Sequence, residues 1–188
     1  MFMFRKIIPV CLICGGSVRD VKVGAWARRA LVSGAAVVLA LGTVGGAAPA
    51  QASVAQGYIA GSGVLTDDWG DEGTISATVR SHSNAVMLWQ SVLVSDGYLT
   101  IYDADCWFGA DTKAATKKWQ DDHGLEADGS VGPLTFGKAD DNLVWSGGRI
   151  VYQGKNIKFN ALDRDSNGYY YFYQTGDKVS YTSSSVCD

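Results

Sequence analysis

Apolar residues recur at helical spacing between residues 83 and 139, and this pattern predicts most of the chain's organisation. Val86, Trp89, Val92 and Leu93 fall on one helical face, and Ser81, Ser83 or Asn84 just ahead of them can cap the helix start. A second helix is predicted from about Ala110 to Asp122, with Ala114, Ala115 and Trp119 apolar and Lys113, Lys117 and Lys118 outward. Gly124 stops it, Leu125 returns to the core, and a third helix begins near Pro133. Proline is tolerated there because a first-turn N–H has no intrahelical partner. Upstream, residues 53 to 73 are rich in Gly, Ser and Asp and read as a flexible lead-in. Thr74 to Arg80 alternates (Ile75, Ala77, Val79) and predicts a strand. From Asn142 the period shortens. Leu143 to Trp145, Arg149 to Gln153, Asn156 to Asn160, Tyr169 to Tyr173 and Lys178 to Tyr181 are short β-prone runs. Gly147-Gly148, Gly154-Lys155, Ser166-Asn167-Gly168 and Thr175-Gly176-Asp177 separate them, which predicts an antiparallel meander of four or five strands. The fold class is α+β, a three-helix module over 83–139 followed by a small β region over 142–188.

The helical stretch contains one pattern twice. Asp105, Phe108, Gly109 and Thr112 form the first copy, and Asp128, Val131, Gly132 and Thr135 the second. Both read Asp-x-x-apolar-Gly-x-x-Thr, and Trp89-Gln90 precedes one as Trp119-Gln120 precedes the other. In each copy Asp opens a turn, the apolar residue plugs the core, Gly relieves the backbone and the next residues start a helix. Asp111 favours the positive end of its helix dipole.

These residues carry a family resemblance. Val86, Leu88, Trp89-Gln90, Leu93, Gly97-Tyr98, Asp105, Phe108-Gly109, Thr112, Ala115, Trp119-Gln120, His123-Gly124-Leu125, Asp128-Gly129, Val131-Gly132-Pro133 and Thr135 follow in an order that resembles the peptidoglycan-binding domain-like family, the three-helix module of bacterial cell-wall hydrolases. The resemblance covers residues 83–139 and is most specific from Gly124 to Thr135. In one place the chain departs from the family pattern: Cys106 stands where a Gly able to take positive φ is usual.

Charge and cysteine content change the picture once the N-terminus is set aside. Arg28-Arg29, the apolar run from Ala30 to about Val44, and Ala50-Gln51-Ala52 describe a secretory signal peptide over residues 1–52, cleaved after Ala52. The apolar run is short and interrupted, which disfavours a membrane span. Arg28-Arg29 with Leu31 is a partial twin-arginine pattern, so the general secretory and twin-arginine routes both stay open. Residues 1–22 read as a start assigned too early, with translation beginning at Val21 or Val23. The remaining chain holds 10 Lys and Arg against 18 Asp and Glu, a net charge of −8, which argues against nucleic acid or an anionic membrane as partner. Cys11 and Cys14 leave with the leader. Cys106 and Cys187 remain, an even number in an exported chain, and predict a disulfide joining the C-terminus to the first Asp-x-x-Phe-Gly loop.

Candidate chemistry is sparse. Asp105, Trp107, Thr112 and Asp128 are the candidate ligand contacts, with aromatic faces stacking on sugars and carboxylates accepting from hydroxyls. Trp89, Phe108, Trp119 and Val131 read as core. Gln90 and Gln120 read as hydrogen-bonders to loop backbone, and Tyr169 to Tyr173 places alternate rings on opposite sheet faces. Asp163, Asp165, Asn167 and Gly168 match the start of a calcium loop, but Gln174 stands where a bidentate Glu belongs, and an Asn-Gly turn explains the same letters. His82 and His123 stand apart, without zinc-peptidase spacing. Asp105-Cys106 resembles the nucleophile of cell-wall cysteine peptidases, a role that a bridge to Cys187 would forbid. Glu72 and Glu126 do not form an evident glycosidase pair. The reading is a secreted, monomeric, cell-wall-associated protein that binds peptidoglycan without cutting it, with no cofactor and no metal. A cell-wall hydrolase with an unrecognised site, or a protein-binding inhibitor using the Tyr-rich sheet, are the alternatives.

Overall fold

The structure, a computed structural model, describes residues 52–188, with the side chains of 53, 160 and 161 and that of residue 52 left aside. The expected leader through residue 51, with Cys11 and Cys14, lies outside the described residues. Helices and an antiparallel sheet make the architecture α+β. Along the chain come α1 (Ala52–Gln56), α2 (Asn84–Asp96), α3 (Ala110–Asp122), α4 (Pro133–Ala139), then β1 (Leu143–Ser146), β2 (Arg149–Gln153), β3 (Lys158–Arg164) and β4 (Tyr170–Phe172).

Local chemistry explains the helix ends. Ser83 is extended, and its hydroxyl accepts from Val86 N at 3.3 Å, which starts α2. Gly97, at φ +84°, ends it, with Gly97 N donating to Val94 O and Tyr98 N to Leu93 O, a Schellman arrangement. The next two free donors at the start of α2 are met by the chain's far end: Asn84 N donates to Ser183 O and Ala85 N to Ser180 O.

The sheet is a simple meander in the order β1-β2-β3-β4. Leu143 faces Tyr152, Ile150 faces Leu162, and Leu162 faces Phe172, so one face carries the apolar residues. The expected run at 156–160 begins two residues later and continues to Arg164, and the last run contributes only bridges, Tyr171 to Lys178 and Tyr58 to Ser180. Gly154 is required by close approach, since a Cβ there would lie 2.4 Å from Ser95 O.

Helices and sheet share one core. Edge-to-face rings run through it from Trp119 to Trp89 (5.1 Å), Phe136 (6.0 Å), Trp69 (6.2 Å) and Tyr170 (5.7 Å), all fully buried. Such pairs contribute about 0.5–1.5 kcal/mol each beyond their area. At the junction, Asp96 at the end of α2 accepts from Trp119 Nε1 (2.8 Å), Tyr152 OH (2.7 Å) and Lys155 N (2.9 Å), tying α2 to α3 and to the sheet.

Two expectations for residues 53–82 need correcting. The segment is packed: Ile59, Leu65 and Trp69 are core, and Ile59 is held between Val179 and Tyr170 by backbone bonds. The strand expected over Thr74 to Arg80 is a single bridge between Ile75 and Val131. Ser76 ends it, because its hydroxyl captures Thr78 N and Val79 N and so offers the backbone a turn in place of a ladder.

Cys106 and Cys187 form a disulfide across 81 residues of sequence. In the chain-entropy model a loop of this length stabilises the fold by about 4.5 kcal/mol. Cys187→Ser, in a residue that is itself exposed, is expected to lower the unfolding free energy by about 3–5 kcal/mol. Urea denaturation gives the value, and a loss smaller than about 1 kcal/mol would contradict the role given to the bridge.

Candidate functional site

The two repeated loops are built around two buried glutamines. Gln90 Nε2 lies at hydrogen-bond distance from Asp103 O (3.1 Å), Asp105 Oδ1 (2.9 Å), Trp107 O (3.0 Å) and Thr112 Oγ1 (3.1 Å), while its Oε1 accepts from Asp105 N and Cys106 N. Gln120 repeats this: Nε2 reaches Asp128 Oδ1 (2.9 Å), Ser130 O (2.8 Å) and Thr135 Oγ1 (3.1 Å), and Oε1 accepts from Gly129 N (2.9 Å). The equivalences Gln90 with Gln120, Asp105 with Asp128, Trp107 with Ser130 and Thr112 with Thr135 are thus structural as well as sequential. In each loop Asp also closes its own turn, accepting from Trp107 N (2.9 Å) or Ser130 N (2.8 Å).

One position explains the departure from the repeat. Gly129 has φ +75°, and its counterpart Cys106 has φ +64°. The loop therefore keeps its left-handed residue despite the Cβ, a conformation that costs about 1–2 kcal/mol in an L-residue. Gln90, the bond from Ser83 N to Cys106 O and the disulfide hold it there. Gly109 and Gly132 behave differently from expectation. Both are extended at negative φ, so their place before α3 and α4 is not set by a need for positive φ.

The four candidate contacts separate on this geometry. Trp107 is 55% exposed and stacks flat on His82, centroids 3.9 Å apart and planes within 9°. Asp105 and Asp128 are exposed, each using Oδ1 within its loop. Thr112 is 3% exposed, and its hydroxyl faces Gln90 and Trp107 O, so the structure makes it a support for the loop. Trp107 and Asp105 sit together on the first loop. Asp128 lies apart on the second, lining a concavity of about 220 Å³ with Leu125, Glu126, Pro133 and the exposed Leu134. His82, whose ring backs Trp107, was missed in the sequence because nothing local ties residue 82 to residue 107. The bonds from Phe108 N to Ser81 O and from Ser83 N to Cys106 O and the bridge between 82 and 107 bring them together.

Of the residues weighed for catalysis, Glu126 is exposed on the second loop, whereas Cys106 and Glu72, like the buried Asp68 and Asp140, are engaged elsewhere. Cys106 is fully buried and bridged, so no thiolate forms there. Glu72, 1% exposed, accepts from Ala60 N and Tyr181 OH. Asp68 accepts from both Tyr170 OH and Arg164 Nη1 (2.8 Å); burial pushes its carboxyl up, with Tyr170 and Arg164 opposing. Burial likewise pushes the Asp140 carboxyl up to about 6, against the bond it accepts from Trp69 N at 2.6 Å. Asp165, in the candidate calcium loop, accepts from Asn167 N and Tyr169 N and pairs with Lys178 at 3.1 Å, closing the β3–β4 turn. Among the described residues no group of three or more His, Cys, Asp or Glu could hold a metal ion.

Two outcomes are expected from these networks. Gln90→Leu and Gln120→Leu each strand several buried acceptors and lower the unfolding free energy by about 2–4 kcal/mol in urea titrations. A loss below about 0.5 kcal/mol would show that the loops do not depend on the amides. Because the folded Asp140 binds its proton more tightly than the unfolded chain, its contribution is fully present below about pH 4 and is lost as pH rises through about 6. Asp140→Asn should flatten that decline in denaturation midpoints measured from pH 4 to 7, and an unchanged slope would remove Asp140 as its source.

No curated protein and no solved structure gives a significant match to the chain. Among the described residues no helix is long and apolar enough to cross a membrane. A family model described as "Putative peptidoglycan binding domain" matches residues 82–138, the stretch that holds both glutamine-centred loops, and this part of the chain is a domain of that family.

Proposed function

We propose that the protein is exported and binds peptidoglycan at the cell wall as a monomer without cutting it, using its three-helix module. The family match over residues 82–138 carries this reading. Trp107 is the principal contact in this reading, supported by its place as a half-exposed indole, backed by His82 and mounted on a loop that Gln90 fixes from behind. An aromatic side chain held in one orientation loses little freedom on meeting a sugar ring or stem-peptide side chain. The outward carboxylate oxygens of Asp105 and Asp128 are acceptors for hydroxyl or amide hydrogens, and Thr112 acts through Gln90 by fixing the loop. The net charge of −8 beyond the leader supports a partner other than nucleic acid. Binding without cleavage is supported by the sealed positions of Asp68, Glu72 and Asp140 and by the bridged Cys106.

Incubation with insoluble sacculi followed by sedimentation tests this. The wild type is expected in the pellet, and Trp107→Ala is expected to weaken retention by about tenfold with an unchanged melting temperature. Wild-type protein remaining wholly in the supernatant would refute wall binding; Trp107→Ala retained like wild type would refute the role of the indole.

A further inference from the structure

A second exposed indole stands on the sheet, away from the repeated loops. Trp145 on β1 pairs with the fully buried Ile150, so it extends the sheet's inner face, yet it is 55% exposed. It forms one wall of a concavity of about 420 Å³, within the size of ordinary small-ligand sites. Arg164 at the end of β3, the β3–β4 turn with Asp165, Ser166 and Asn167, and residues 61–63 form the rest. A second concavity of about 240 Å³ shares Gly61, Ser62 and Asn167 with it and continues to Gln56 and Asp67, so the two make one trough.

The trough is rigidly built. Gly168 lies against Gly61, where a Cβ would come within 2.4 Å of Gly61 O. Arg164 is fixed by Asp68 at 2.8 and 3.0 Å and by Gly63 O at 3.3 Å. Its charge is therefore matched, and the far end of the trough is acidic. An anionic polymer is disfavoured there. In contrast, the Ser62 and Ser166 hydroxyls, the Asn167 side-chain amide and the Trp145 indole N–H make no hydrogen bond among the described residues. The Trp145 ring, with the neutralised Arg164 guanidinium 5.9 Å from its centroid, and these neutral donors and acceptors suit a ligand that presents C–H faces and hydroxyls together.

We infer that this trough is a second binding site, for a neutral saccharide strand, with Trp145 as its stacking platform and Asn167 as its polar contact. The choice of an N-acetylhexosamine chain as the strand rests on the wall-binding reading; the trough and its chemistry do not. The protein would then hold the wall at two points, by the helical module and by the sheet.

Calorimetric titration of the purified protein with chitohexaose tests this. Wild type is expected to bind, Trp145→Ala to weaken binding by at least about tenfold and Asn167→Ala to weaken it measurably. Both Trp145 and Asn167 are exposed, so circular dichroism of the variants is expected to match wild type. Absence of wild-type binding at millimolar chitohexaose, or wild-type affinity in both Trp145→Ala and Asn167→Ala, overturns the inference. Sacculus retention without chitohexaose binding would sink this site and leave the wall reading standing. Chitohexaose binding lost in Trp145→Ala but without sacculus retention would support the site and sink that reading.

Discussion

A buried indole must place its N–H on an acceptor, and much of this fold follows from how that requirement is met. Trp89 donates to Thr116 and Trp119 to Asp96, so each ring fixes a neighbouring helix as it fills the core. Asp96 takes the Tyr152 hydroxyl on the same oxygen, which couples the seating of Trp119 to the seating of the sheet. Burial and the neighbouring carboxylate raise the Tyr152 pKa, so it stays a donor. Trp69 is the exception. Its Nε1 is buried without a partner among the described residues, as is Asp140 Oδ1, and the core tolerates both next to the bond that Trp69 N donates to Asp140 Oδ2.

That coupling makes helices and sheet interdependent. The sheet is too small to bury a face alone, since a few short strands need a partner layer. The helices expose their aromatic side unless something covers it. The N-terminal segment completes the arrangement by threading between residues 168–170 and 179–181, and the C-terminal tail returns the favour at the start of α2 through Asn84, whose side chain contacts Lys178 O and Val186 N.

Much of the helical module was legible because its signals are local. Ser83, Gly124 and Pro133 punctuate the chain at the places where helices start or stop. The duplicated letters also foretold two equivalent loops, and the glutamines were recognisable as loop ligands. What escaped was long-range. Residues 53–73 look like a flexible lead-in by composition, yet Leu65 is buried and Ile59 and Trp69 find partners more than 70 residues away. Thr74 to Arg80 has the alternation of a strand, but the hydroxyl of Ser76 outcompetes a ladder for two N–H groups. The repeated threonines, Thr112 and Thr135, place a hydroxyl against Gln90 and Gln120 at the same position of each loop, a role the letters alone do not show.

The glutamine clamps hold their loops largely by main-chain atoms and an Asp, leaving the residue two places after each Asp unconstrained in side-chain identity. That slot displays Trp107 in one loop and Ser130 in the other on nearly the same frame. A single outward side chain can therefore be exchanged at that slot while the frame beneath keeps its shape, much as interchangeable heads fit one handle.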